Sequence, residues 1–370
     1  MRFGKALKKS KLYIVHQNGA PAHYLAAAYL FEQLASDVVY IEFSILRKLG
    51  KALLVERNLK SLRRALRNAM LLGLWFLFPG LLKRHKVILG VAPLDWRVFF
   101  LSRIFKKTDL IYHTSWNIWD GTRFPFGMNR FSPVLKKIWL FFLRYRVHKI
   151  AVVTPLCAES IAQFIKPSKK EIATVFHSYD DFFSYDENFK EKSLTNLRVI
   201  YAGRLIESKG IDKIIDLARV FPDIDFCFIG KGELVAKVES CSLPNVKYKG
   251  FISNVKLMAN LFRQSDVILL PSMRRKNWEE LFGISLIEAM ACGCIPVVTD
   301  HVGPKLILEN SELSDLVFSE EDFFVNASNC LRRWQLYPDE LRLRKLASSE
   351  VARKYSKSNI SKIWKNLLFN

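Results

Sequence analysis

The sequence predicts an α/β chain built as two doubly wound domains, each around a parallel sheet. Three observations predict it. At 370 residues the chain is longer than one hydrophobic core ordinarily organises. Short strand candidates rich in Val, Ile, Leu and Phe alternate with helical patterns from end to end, as βαβ units do. The alternation is broken by one polar stretch, Ser178–Asn196, rich in Asp, Glu, Lys and Ser, which reads as an interdomain linker.

In the first half, strands are expected at Leu12–His16, Val38–Phe43, Val87–Val91, Leu110–His113, Ile150–Thr154 and Ile172–Phe176. Helices are expected at His23–Ala35, Leu53–Phe78, Trp96–Phe105, Pro133–Tyr145 and Pro155–Phe164. The second half restarts the pattern, with strands at Arg198–Ala202, Asp225–Ile229, Val246–Phe251, Val267–Pro271, Ile295–Thr299 and Leu316–Phe318. A last helical stretch, Asp339–Leu368, is polar enough to lie on the surface. The domains are therefore set at 1–180 and 197–345, joined by a linker at 181–196. A C-terminal helix, 346–370, is placed so that it can cross back to the first domain. Open α/β sheets take ligands beyond the carboxyl ends of their strands, so the two domains are expected to face a central cleft.

The formal charge of +22 is uneven: residues 1–150 hold 27 Lys+Arg against 7 Asp+Glu, and the remainder 30 against 28. Such a field favours an anionic surface as partner: nucleic acid, anionic lipid or an acidic polymer. Six cysteines, at 157, 227, 241, 292, 294 and 330, show no CxxC and no zinc spacing, the pattern of a reduced compartment. No leader is expected, because Leu12–His16 is a strand-like run without a cleavage site. The longest apolar run, Ala69–Leu82, has 14 residues and contains Pro79, short of the roughly 20 a spanning helix needs.

The chemistry gathers in the second half. Its first strand ends in Ala202-Gly203-Arg204-Leu205-Ile206-Glu207-Ser208-Lys209-Gly210, where an Arg fork and a Lys point charge suit a diphosphate. A second glycine loop, Gly230-Lys231-Gly232-Glu233, follows the next strand, and the third ends at Gly250-Phe251. Then comes Glu280-Leu281-Phe282-Gly283-Ile284-Ser285-Leu286-Ile287-Glu288-Ala289-Met290-Ala291, followed by Cys292-Gly293-Cys294-Ile295-Pro296-Val297-Val298. Glu280 and Glu288 lie eight positions apart at the start of an apolar helix, on nearly the same face. A helix start is an anion site, so a carboxylate beside it needs another task, such as gripping sugar hydroxyls.

This ordered set, over residues 198–303, resembles the C-terminal domain of the retaining glycosyltransferases of family 4, which have the GT-B fold. The resemblance implies two Rossmann-like domains and transfer of a sugar from a UDP- or GDP-linked donor, with no cofactor and no catalytic metal. It implies that Arg204 and Lys209 hold the donor diphosphate and stabilise the leaving group. Glu280 would contact the donor sugar, Gly283 and Ile284 would offer backbone amides, Glu288 would bind the ribose, and Gly250 and Phe251 would border the base. The leaving phosphate would assist the acceptor hydroxyl, which attacks the same face. The family often continues with Gly-Gly and a glutamate. This chain has Val302-Gly303-Pro304-Lys305 instead.

In the first half the likeness is looser. The family's glycine loop after the first strand corresponds to His16-Gln17-Asn18-Gly19-Ala20, with Asn18 in place of a glycine and Gly19 retained. His113, ending the fourth strand, is similar to a family histidine near the reacting centre, where it would make polar contact with the sugar or handle a proton. With Glu280, Arg204 and Lys209 it completes the expected catalytic set. His177 reads as hinge packing.

The segment 46–86 interleaves cations with leucines, passes through an apolar stretch rich in Trp and Phe and closes in Lys83-Arg84-His85-Lys86. A basic amphipathic helix with such an aromatic end is the signature of a helix lying in a membrane interface. Arg63, Arg64, Arg67, Trp75 and Phe76 are its expected membrane contacts. The reading is a peripheral glycosyltransferase on the cytoplasmic side of the plasma membrane, acting on a lipid-linked or glycan acceptor in polysaccharide or glycolipid assembly, such as lipopolysaccharide O-antigen or capsule. Two alternatives stand beside it. A GT-B nucleotide-sugar epimerase would need further acid/base carboxylates at the cleft. A basic nucleic-acid-binding protein would carry a recognition signature that is not evident here.

Overall fold

A run such as Val267-Ile-Leu-Leu270, apolar at every position, fits only a strand covered on both faces, and all four residues are buried. The structure is a computed structural model that describes residues 10–17, 19, 21–44, 50, 59–122, 124–125, 131–186, 196–276 and 278–370. The chain forms two units, 1–178 with 357–370, and 179–356. Part of the expected linker (187–195), Asn18 and the beginning of the basic segment (45–49, 51–58) lie outside the described residues.

The first unit holds β1 (Leu12–His16), α1 (Leu25–Gln33), β2 (Val38–Glu42), α2 (Leu59–Leu77), β3 (Lys86–Gly90), α3 (Val98–Ile104), β4 (Asp109–Thr114), α4 (Ser132–Tyr145), β5 (Lys149–Val152), α5 (Pro155–Phe164) and β6 (Ile172–Thr174). Its strands are parallel in the order β2-β1-β3-β4-β5-β6. The strand order reverses between β1 and β3, so the crevice for a ligand lies beyond His16 and Gly90. Helix starts follow their sequence signals. The Thr154 side chain accepts from the Cys157 N–H at 3.2 Å, with Pro155 opening α5.

The second unit holds β7 (Arg198–Arg204), α6 (Ile211–Val220), β8 (Asp225–Lys231), α7 (Val235–Glu239), β9 (Val246–Tyr248), α8 (Val255–Arg263), β10 (Val267–Leu270), α9 (Ile284–Ala291), β11 (Ile295–Thr299), α10 (Val302–Leu308), β12 (Val317–Phe318), α11 (Phe323–Leu336) and α12 (Pro338–Arg353). The order β12-β11-β10-β7-β8-β9 reverses between β7 and β10. The loops after those two strands carry Lys209 and Glu280.

The final stretch differs from expectation. It forms two helices, α12 and α13 (Lys357–Phe369), and α12 stays with the second unit while the chain changes unit at 356/357 rather than 346. The break has a backbone cause. The Tyr355 carbonyl accepts the Tyr179 N–H at 3.2 Å and so leaves the helical pattern. Nor is α13 a surface helix. It buries Ile360, Trp364, Leu367 and Leu368 against the α1 side of the first sheet, and Phe369 stacks on Phe31 at 5.8 Å.

Gly90 makes the first crevice possible. A Cβ there would lie 2.1 Å from the Tyr24 hydroxyl and 2.4 Å from the His16 ring. Gly90→Ala is expected to destabilise the chain by about 2 kcal/mol through overpacking. Gly73→Ala, in open space on α2, is expected to stabilise it by about 0.5–1 kcal/mol through helix propensity. Urea unfolding of both variants tests the pair; equal effects would mean that the crevice does not need the glycine.

Candidate active site

The loops leaving β7 and β10 bring Lys209 and Glu280 together. The Lys209 ammonium, itself buried, pairs with the Glu280 carboxylate and lies 4.9 Å over the Trp278 ring. The Ser272 hydroxyl donates to the same carboxylate at 3.4 Å. The Glu280 backbone is fixed as well. Its N–H donates to His301 Nδ1 at 3.0 Å, and its carbonyl accepts the Gly303 N–H at 3.0 Å. His301 then donates from Nε2 to the Ser272 carbonyl at 2.9 Å. Burial, with Arg274 nearby, lowers the His301 pKa and keeps the ring neutral.

The loop after β11 differs from the family pattern, yet the one glycine it retains has a task. A Cβ on Gly303 would lie 2.3 Å from the Phe282 backbone. The glycine therefore lets α10 approach the strand-to-helix turn that carries Glu280.

The other expected residues of this unit fall around the same rim. Arg204 ends β7, exposed and without an ion pair among the described residues. The Gly230 N–H donates to the Gly250 carbonyl at 2.9 Å, and the Lys231 ammonium sits 4.4 Å over the exposed Phe251 ring. Gly283 caps α9 at φ +96° and Ile284 is its first residue, so the opening N–H groups of that helix lack intrahelical partners. Glu288 follows on α9. Burial, and then the Asp180 carboxylate, push its pKa up to about 8.

In the first unit, His113 at the carboxyl end of β4 is buried, with Nδ1 3.3 Å from the Tyr24 hydroxyl. It belongs to a cluster that sequence reading did not anticipate. The His23 and His177 rings lie 4.5 Å apart, His113 and His177 5.9 Å, and His16 and His23 6.0 Å. Burial, reinforced by the neighbouring imidazoles, lowers His113 to about 3 and His16 to about 4. A neutral His113 suits polar contact better than proton uptake near neutral pH. His177, two residues before the second unit begins, packs into this cluster. Among the described residues no three His, Cys, Asp or Glu side chains converge as metal ligands. Gly19, at φ +78°, opens a cavity of about 480 Å³ whose wall includes Glu42, Arg64 and Arg67.

The expected membrane contacts need one correction. Trp75 is only 3 % exposed, packs edge-on against Tyr13 at 4.9 Å and belongs to the core. With Ala65, Asn68 and Leu72 it forms the inward face of α2, which its spacing from those residues dictates. Arg63, Arg64 and Arg67 are exposed, and Phe76 is half-buried. The outward crest is instead apolar: Leu59, Leu66, Met70 and Leu77 are each more than half exposed. No described helix is long and apolar enough to cross a membrane.

Residues 184–323 match the family described as Glycosyl transferases group 1. The chain is 23 % identical over 289 residues to the alpha-galactosylglucosyldiacylglycerol synthase of Streptococcus pneumoniae, covering 74 % of this chain and 73 % of that protein. It is 32 % identical over 125 residues to the amylovoran biosynthesis glycosyltransferase AmsK of Erwinia amylovora, 31 % of this chain and only 30 % of the relative's length. Among solved structures, the Anabaena protein HepE with UDP and glucose superposes with a TM-score of 0.66 at 14 % identity, over 97 % of this chain and 99 % of that one. That likeness concerns the fold, which is GT-B.

Glu288 makes stability depend on pH. The folded chain holds a proton there up to about pH 8, whereas an unfolded glutamate loses it near its ordinary value of 4.5. The stabilisation is therefore complete below the lower value and is lost as pH rises through the upper one. Glu288→Gln is expected to unfold like the parent near the lower value and to be more stable by up to about 5 kcal/mol well above the upper one. Parallel denaturation curves across that range would show instead that Glu288 is solvated.

Proposed function

The chain carries a glycosyl transferases group 1 domain over residues 184–323, and from that premise we propose that it moves a sugar from a UDP- or GDP-linked donor to an acceptor hydroxyl, with retention, as family 4 enzymes do. The observation that carries the proposal is Glu280, held beside Lys209 at the strand-order reversal of the second sheet. Arg204 and Lys209 would meet the diphosphate charge in place of a metal. A departing nucleoside diphosphate is stabilised by just such cations and by the open amides at Gly283 and Ile284. Glu280 would accept hydroxyls of the sugar and Glu288 those of the ribose, while Gly250 and Phe251 border the base. In the reaction, the bond from the anomeric carbon to the phosphate oxygen breaks. The acceptor oxygen bonds on the same face, and its proton passes to the leaving phosphate.

In the first unit, His113 would make a polar contact to the donor sugar and the Gly19 loop would cover the diphosphate. The cavity beside Gly19 would admit the acceptor. A lipid-linked or glycan acceptor for polysaccharide or glycolipid assembly is supported by the names of the two curated relatives. A peripheral site on the inner face of the plasma membrane is supported by the cationic first half and the outward apolar crest of α2.

Thermal-shift screening against a panel of UDP- and GDP-sugars is expected to show one donor raising the unfolding midpoint. With that donor, Lys209→Ala and Glu280→Gln are each expected to lower turnover by about a hundredfold, and NMR of the product is expected to show the donor's anomeric configuration. Inversion would remove the retaining reading, and conversion of the donor to its epimeric nucleotide sugar without an acceptor would favour the epimerase. Turnover unchanged in both variants would displace the reaction from this rim.

A further inference from the structure

A cavity of about 560 Å³ opens where the end of α2, α3 and α4 meet. Three phenylalanines on its wall, Phe76, Phe99 and Phe141, alternate with four cations, Arg103, Lys106, Lys137 and Arg146. No carboxylate lines it, and α2, α3 and α4 contain no Asp or Glu at all. Among the described residues none of the four cations forms an ion pair. Like charges gathered without counter-charge repel one another, so the arrangement calls for an anion.

Two of the cations are pre-positioned. The Arg103 guanidinium lies 4.8 Å over the Phe76 ring, and its Nε donates to the Phe76 carbonyl at 3.3 Å. That fixes the fork and leaves its terminal N–H groups for a ligand. The Arg146 guanidinium lies 5.2 Å over Phe141, and its Nε is buried with no hydrogen-bond partner. A buried donor left without an acceptor is costly unless a ligand supplies one.

The rim identifies the class of anion. Phe99 is 63 % exposed, Trp96 62 % and Tyr145 69 %, and Phe100 and Phe141 stand open beside them. A soluble phosphate would gain nothing from these rings. An anion attached to hydrocarbon would, because the aromatic surface would enter the lipid interface while the cations met the headgroup. We propose that this cavity is a specific site for the phosphate headgroup of an anionic glycerophospholipid in the membrane. The site rests on the membrane reading above and deepens it, since it adds recognition of one headgroup to general attraction to a charged surface.

The test uses the full chain and vesicles of phosphatidylcholine carrying either phosphatidylglycerol or oleate at matched surface charge. The chain is expected to bind the phosphatidylglycerol vesicles about tenfold more tightly than the oleate vesicles. Arg146→Lys, which keeps the charge and loses the fork, and Lys137→Gln are each expected to bring that ratio close to one. The off-cavity pair Lys83→Gln with Arg84→Gln should weaken binding to both vesicles and keep the ratio. Unfolding midpoints verify that each variant is folded. A parent ratio near one, with both vesicles bound, overturns the headgroup site and leaves membrane docking standing. Binding to neither overturns both. A thermal shift by glycerol 3-phosphate that depends on Arg146, without vesicle preference, overturns the lipid source.

Discussion

The second rim depends on how Glu280 is held. Its carboxylate is paired with a buried ammonium, and its backbone is gripped through both the N–H and the carbonyl. His301 is the piece that links these grips. Because Nδ1 accepts the Glu280 N–H, the ring proton must sit on Nε2, where it reaches the Ser272 carbonyl. A second proton would leave the Glu280 N–H without its acceptor, and burial of the ring opposes that proton. The neutral tautomer is therefore part of the scaffold. A buried ion pair is weak evidence for stability. Its value here is placement, since it keeps a carboxylate and a cation at the crevice where a polyol and a diphosphate would each need one.

The two sheets share a plan and differ at their rims. The second rim is ionic, built of Arg204, Lys209, Glu280 and Lys231. The first is neutral and aromatic, built of Tyr24 and imidazoles that burial keeps uncharged. The strong positive charge of the first half therefore does not gather at its crevice histidines. Among the described residues it lies instead on helix surfaces and at the edge of the cavity beside Gly19. Function resides in such rims rather than in the sheets that carry them.

Much of this was legible in the sequence. Strands such as Ile295–Thr299 are apolar at nearly every residue, and their position is set by that pattern. Arg204, Lys209, Glu280 and Glu288 stand in short local motifs, whereas the pairing of Lys209 with Glu280 joins two separate motifs 71 positions apart, which neither motif announces. The rest depends on contacts distant in sequence. His301 acts through a backbone N–H 21 positions away, which no local pattern reveals. His16 and His23, at and just after the end of β1, meet His113 and His177 only because the strand order brings those distant segments beside them. The break between α12 and α13 is set by the Tyr179 N–H, far upstream. Trp75 illustrates a different limit. On a helix with apolar residues all round, composition cannot decide which face turns inward, and the sheet makes that choice through Tyr13.

That choice leaves α2 with a second apolar face. Ala65, Leu72 and Trp75 satisfy the core, so Leu59, Leu66, Met70 and Leu77 contribute nothing to it. Single exposed leucines are ordinary on soluble proteins, whereas several large apolar residues on one outward stripe, with Arg63 among them and Lys60, Arg64 and Arg67 along one side, mark an interaction surface. Folding gives no reason for a helix to place large apolar residues at helical spacing toward solvent while carrying four cations and no acid. An anionic interface of the kind proposed would supply one, because it would reward the apolar residues and the neighbouring cations together. The same logic extends to Trp96, Phe99 and Phe141 on the neighbouring helices. Phe99 and Phe141 line the cation-bearing cavity and Phe76, at the end of α2, stands on its wall, so that membrane attachment and headgroup recognition would draw on neighbouring surfaces of the first unit.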